Sequence, residues 1–203
     1  MTQSRPAQSF AVQPPPQGWL EVISGPMFSA KSDELIGRLR KAIYRYGPNR
    51  VSAFRPALDT REPSEAIVSR SGASFPAITL NKISDLPSCI QSDTHVVGMD
   101  EAQFFGGDIM PVIHYLLKRK ILVYIAVLER DCFGDPFGQA AQVLCLADHV
   151  TKLTAICQTC GLPASHTYRT VENSELILIG DSESYEARCR NCIPEKNEPA
   201  QSQ

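Results

Sequence analysis

No stretch of the chain approaches the ~20 consecutive apolar residues that a membrane span requires. The N-terminus has no charged-then-apolar run of the kind that opens a secretory signal. There is no excess of charge of either sign: 20 Lys and Arg stand against 22 Asp and Glu, a formal net charge of −2. That balance gives no footing for a nucleic-acid or membrane-surface partner. No internal repeat is present. Apolar residues make up 43% of the chain, too many for a disordered protein. Its 203 residues suffice for one core, or one core with a small satellite.

Seven cysteines are an odd number, and four of them fall into two tight pairs, Cys157/Cys160 and Cys189/Cys192. A secreted disulfide framework favours an even set. A cytoplasmic protein with one metal site and three free thiols fits better. Residues 1–17, rich in Gln, Pro and Ser and ending near Pro14-Pro15-Pro16, read as a disordered tail. Residues 194–203 read as a second one.

Between the tails, apolar runs alternate with helical patterns. Trp19–Ser24, Val51–Phe54, Val96–Met99 and Ile121–Leu128 read as strands. Ser32–Tyr46, Ile109–Leu117 and Gln139–Ala147 read as helices, with Pro111 tolerated in a first turn. This alternation predicts an α/β domain over 18–150, a mostly parallel sheet with helices on both faces. After Val150 the pattern changes to short strand runs such as Leu176–Ile179, with no long helix. A small β subdomain is expected over 151–193.

Gly25-Pro26-Met27-Phe28-Ser29-Ala30-Lys31-Ser32 follows the first strand and opens the first helix. It is one residue from the phosphate-loop pattern, in which backbone N–H groups at a helix N-terminus converge on phosphate oxygens. Lys31 would neutralise the β- and γ-phosphates, and Ser32 would ligate Mg²⁺. The bland alternative is a chance strand–turn–helix with a lysine. Ala30 stands where Gly is usual; with Ala there, the loop either changes shape or carries a strain of about 1 kcal/mol or more. The apolar run Val96–Met99 ends in Asp100 and Glu101. Asp100 suits Mg²⁺ and Glu101 suits a general base on an acceptor hydroxyl; the alternative is a solvated strand end. Cys157-x-x-Cys160 and Cys189-x-x-Cys192, with 28 residues between the pairs, can close a structural four-thiolate Zn²⁺ site. Disulfides or redox pairs are the alternatives.

In this order, GPMFSAKS, VVGMDEAQFF, DPFG at 135–138, KLTAICQTCG at 152–161 and YEARCRNC at 185–192 resemble the cellular-type thymidine kinases. The resemblance runs from about Gly18 to Ile193. It implies ATP-dependent transfer of the γ-phosphate to the 5′-hydroxyl of thymidine, a salvage step toward DNA synthesis. It also implies a RecA-like domain, a zinc subdomain with a lasso loop, and a homotetramer. In residue terms it assigns the nucleotide to Gly25–Ser32 with Asp100, Glu101, Ala102 and Gln103, and phosphate or transition-state charge to Arg61. The nucleoside would meet Met27, Phe104, Leu128, Phe137, Thr167, Leu176, Leu178, Gly180 and Tyr185. Departures from the pattern are Ala30, Glu62, Arg70, Glu129, Cys132-Phe133 and Asp181. A kinase for another or modified pyrimidine nucleoside, and a catalytically weak nucleotide-binding homologue, are the competing readings.

Overall fold

The structure is a computed structural model that describes residues 16–58, 65–171 and 183–194. Among these residues the chain order is β1 (Trp19–Ser24), α1 (Lys31–Tyr46), β2 (Val51–Pro56), β3 (Ala66–Val68), β4 (Ser74–Pro76) and β5 (Ile78–Leu80). It continues with α2 (Leu86–Cys89), β6 (Val96–Met99), α3 (Met110–Lys118), β7 (Leu122–Val127), α4 (Ala140–Leu146) and β8 (His149–Lys152). The small strands β9 (Ala155–Ile156), β10 (Pro163–Ala164), β11 (His166–Arg169) and β12 (Tyr185–Arg188) follow.

Six strands form one sheet in the order β5-β2-β6-β7-β1-β8, with every neighbouring pair parallel. Alternate residues of each central strand face opposite sides. Leu20, Val22, Val97, Met99, Val123 and Ile125 pack with Ile113 and Leu116 of α3 and Val143 of α4. Ile23, Val96 and Ala126 pack instead with Leu35, Ile36 and Leu39 of α1. Both faces are therefore covered, and the central strands read as unbroken apolar runs. The expected α/β class, a parallel sheet with helices on both faces, is the one observed.

Gly98 allows the close approach of α1. A Cβ there would sit 2.8 Å from Leu39 Cδ2. Helix α1 buries Leu35, Ile36, Leu39, Ala42 and Tyr46 along one stripe, and Asp33 and Glu34 lie in its first turn, where the helix dipole favours them. Gly47, at φ 88°, ends it. Pro111 occupies the first turn of α3 without breaking it.

Several elements have no clear signature in the sequence. β8 is mostly exposed, and it joins the sheet through parallel pairing with β1. The β3–β4 hairpin and β5 are three-residue strands. The strand expected at Leu176–Ile179 lies outside the described residues. No helix among the described residues is long and apolar enough to cross a membrane.

Candidate functional site

The loop between β1 and α1 is built from special backbone conformations. Gly25 takes φ 155°, and a Cβ there would lie 2.7 Å from both Leu153 O and Ser29 Oγ. Phe28 and Ala30 take left-handed φ values of 66° and 61°. Ala30 has ψ 31° and serves as the N-cap of α1, with no side-chain cap for the first-turn N–H groups. Those N–H groups and the helix dipole favour an anion at this end. Lys31 is buried, and its Nζ donates to Pro26 O at 2.8 Å. Ser29 Oγ donates to the same carbonyl at 2.8 Å.

The acids at the end of β6 face this loop. Ser32 Oγ donates to Asp100 Oδ2 at 2.9 Å, and the Asp100 N–H is tied to Phe54 O at 3.0 Å. Asp100 is buried. Burial first, and the neighbouring Glu101 carboxylate second, push its carboxyl up to about 7, against the opposing pull of Ser32 and Lys31. Two adjacent buried carboxylates with one raised in this way mark a candidate functional site. Glu101 is buried and held in left-handed backbone, φ 47° and ψ 45°. Gln103 Nε2 donates to Glu101 Oε2 at 2.6 Å, while its Oε1 accepts from the Leu128 N–H at 2.9 Å. Gln103 therefore orients the Glu101 carboxylate against the end of β7. Loop and acids share one cavity of about 380 Å³, lined by residues 27–33, Arg55, residues 67–70, Asp100 and Glu101.

The residues expected around the nucleoside fall into linked groups. The Phe104 and Phe137 rings meet edge to face at 5.5 Å, and Leu128 and Phe137 are buried. Thr167 on β11 accepts from the Met27 N–H at 2.9 Å, which ties the β1–α1 loop to β11. Tyr185 on β12 pairs with Arg169, whose guanidinium donates to Tyr185 Oη at 3.1 Å. The Arg169 guanidinium also lies 5.5 Å from the Tyr185 ring and 5.9 Å from the Phe133 ring. Arg61, Leu176, Leu178 and Gly180 lie outside the described residues.

The four paired cysteines converge. The sulfurs of Cys157, Cys160, Cys189 and Cys192 all lie within 4.8 Å of one another, with Cys160 and Cys189 at 3.6 Å. A tetrahedral Zn²⁺ with Zn–S of about 2.3 Å places its sulfurs roughly 3.8 Å apart, so the donor set fits zinc. Each pair forms a tight turn: the Gly161 N–H bonds Cys157 O, and the Cys192 N–H bonds Cys189 O. The Cys189 N–H leads the backbone bonds that bring the Cys157 thiol down to about 6, whereas its thiol neighbours, Cys160 first, drive Cys192 up to about 12. Four sulfurs this close cannot all ionise without a cation to compensate them. A closed set of four leaves no position for a substrate.

Asp33, Arg55, Ile67, Val68 and Ser69 line the cavity that loop and acids share without having been expected there, and Arg70, which the sequence marked as a departure from the family pattern, lines it too. Asp33 stands two residues after Lys31 and Arg55 lies on β2, whereas the folding of the β3–β4 hairpin over the first turn of α1 brings residues 67–70 to the loop. The chain matches the thymidine kinase family over residues 18–193, most of its length, and belongs to that family.

Proposed function

We propose that this member of the thymidine kinase family transfers the γ-phosphoryl group of ATP to the 5′-hydroxyl of a deoxynucleoside, thymidine first among them. The convergence of Lys31, Ser32, Asp100 and Glu101 on one cavity carries this reading. The loop N–H groups and Lys31 bind and orient the phosphates. Ser32 and Asp100 are adjacent hard oxygen donors, and they are the residues that would hold Mg²⁺. When bound, that ion neutralises charge on the phosphate oxygens.

Glu101 accepts the proton of the 5′-hydroxyl. The oxygen of that hydroxyl then bonds to the γ-phosphorus, the bond from that phosphorus to the β,γ-bridging oxygen breaks, and ADP leaves. Gln103 keeps the Glu101 carboxylate in one orientation for this transfer. Phe104, Leu128, Phe137, Thr167 and Tyr185 are the described residues assigned to the nucleoside. The four-thiolate zinc site braces the subdomain that supplies Thr167 and Tyr185. A homotetramer in the cytoplasm accompanies this reading, on the strength of the family.

A second reading, a kinase for a different or modified pyrimidine nucleoside, draws on Phe133. This residue is exposed and packs beside Arg169, with half-buried Cys132 before it. Assaying a panel of nucleosides with ATP and Mg²⁺ separates the two readings. Glu101→Gln tests the chemistry itself. Turnover should fall about 10²- to 10⁴-fold while ATP binding persists. Turnover at the wild-type rate would remove Glu101 as the base.

A further inference from the structure

We propose that Arg70 is a second cation for the terminal phosphate of the bound nucleotide, and that Asp33 is the positioning residue that holds it over the cavity. The inference rests on the nucleotide-binding reading above and adds to it a residue that no phosphate-loop pattern contains.

Arg70 sits in the turn of the β3–β4 hairpin. The turn is closed by the Ser69 N–H on Ala73 O at 2.8 Å and the Gly72 N–H on Ser69 O at 3.0 Å, and Gly72 supplies the left-handed φ of 85° that it needs. The residues on either side of Arg70 are both tethered. Ser69 Oγ donates to Asp33 Oδ1 at 2.6 Å, and Ser71 Oγ donates to the same oxygen. Asp33 lies in the first turn of α1, directly after Lys31 and Ser32. The hairpin tip is thus pinned to the helix end that forms the phosphate site. At the base of the hairpin, Arg55 donates to Ala66 O at 2.9 Å.

The Arg70 side chain points at the phosphate loop itself. Its guanidinium carbon lies 4.0 Å from the centre of the Phe28 ring. Phe28 is one of the left-handed loop residues, and it also packs against the small core of the zinc subdomain. Cation–π contact with this ring keeps the guanidinium beside the loop that lines the cavity. A planar fork of donors in that place suits a phosphate, which it can grip through two parallel hydrogen bonds.

The charges of the cavity give such a group work to do. Among the described residues three carboxylates line it, Asp33, Asp100 and Glu101, and a polyphosphate entering meets all three. Lys31, Arg55 and Arg70 are, among the described residues, the cations of the lining. Lys31 rises from the loop and Arg55 is buried beneath the hairpin. Arg70 approaches from the rim, on the element facing the loop. The phosphoryl group nearest Glu101 is the terminal one, since that group must meet the hydroxyl that Glu101 deprotonates. Arg70 is exposed, so its removal leaves the core intact.

The test is isothermal titration of the full-length protein with MgATP and with MgADP, alongside thermal melts. Arg70→Ala should weaken MgATP about 10- to 100-fold, the range expected on losing a charge-assisted pair of hydrogen bonds. MgADP should weaken less than about threefold, and the melting temperature should stay within about 2 °C. Arg70→Lys should recover part of the loss, because it keeps the charge but not the fork. Asp33→Ala should lower MgATP affinity in the same direction by a smaller factor. Wild-type affinity for MgATP in Arg70→Ala would overturn the proposal. So would equal losses for MgATP and MgADP, which would place Arg70 away from the terminal phosphate. A wild-type protein that binds neither nucleotide would overturn the nucleotide-binding reading and this proposal with it.

Discussion

Replacing Ala30 by glycine should stabilise this protein, against the usual effect of adding glycine to a folded chain. Ala30 takes φ 61° and ψ 31° at the N-cap of α1. Left-handed backbone brings Cβ too close to the carbonyl oxygen and costs an L-residue roughly 1–2 kcal/mol. Glycine has no Cβ and avoids that cost. Its own penalty is a larger unfolded-state entropy, about 0.4–1 kcal/mol. Ala30 is exposed, so no buried contact of its methyl group is lost. Glycine is also preferred to alanine at helix N-caps. The difference favours Ala30→Gly by about 0.5–1 kcal/mol. For a chain of this size, roughly 2–4 °C per kcal/mol raises the melting temperature by about 1–4 °C. Because the loop already holds the left-handed turn with alanine in place, glycine should keep the same phosphate geometry. Catalytic efficiency with ATP should then change by less than about threefold. Scanning calorimetry and steady-state kinetics on the two proteins provide the check. A lower melting temperature would show that the loop is not strained at Ala30, and the reasoning from φ would fail.

Protein purified without added metal should contain close to one zinc per chain, and Cys157→Ser combined with Cys189→Ser should lose it, as read by elemental analysis; metal retained in the double variant would refute the four-thiolate assignment. The buried core of that subdomain is mostly alanine and cysteine, too little apolar surface to hold β9–β12 together without the metal. Metal removal should therefore also weaken ATP binding, since Phe28 packs on this core and Met27 bonds Thr167. The raised carboxyl of Asp100 has a definite pH signature. Its folded value of about 7 lies above the unfolded value of about 3.9, so the folded state holds the proton more tightly. Without bound cation, stability should fall as pH rises from about 4 through about 7, by up to roughly 4 kcal/mol from this one group. The melting temperature of Asp100→Asn minus that of wild type should grow from pH 5 to pH 8, because asparagine can still accept from Ser32 but has no charge to bury. A difference that stays flat with pH would contradict the raised carboxyl.

Much of this fold is local and legible in the order of residues. The central strands are buried on both faces, so Val96–Met99 and Leu122–Val127 are unbroken apolar runs visible without a structure. Helix α1 carries its buried stripe in its own periodicity. The phosphate loop, the acid pair after β6 and the paired cysteines are all short-range patterns, because a turn, a strand end or a knuckle needs its residues adjacent in the chain. Tertiary structure alone decided the rest. β8 is an exposed edge strand whose place comes from backbone pairing with β1, which leaves no mark on its side chains. The hairpin carrying Arg70 joins the site through hydroxyls on Asp33, 36 and 38 residues away in the chain, contacts that exist only once α1 and the sheet have packed. The raised carboxyl of Asp100 has the same origin in its largest cause: desolvation is a property of the finished fold, and the adjacent Glu101, visible in the sequence, only adds to it. Ala30 lies between the two. The sequence posed a choice between a reshaped loop and a strained one, and the folded loop holds Ala30 in the left-handed turn, at φ 61°.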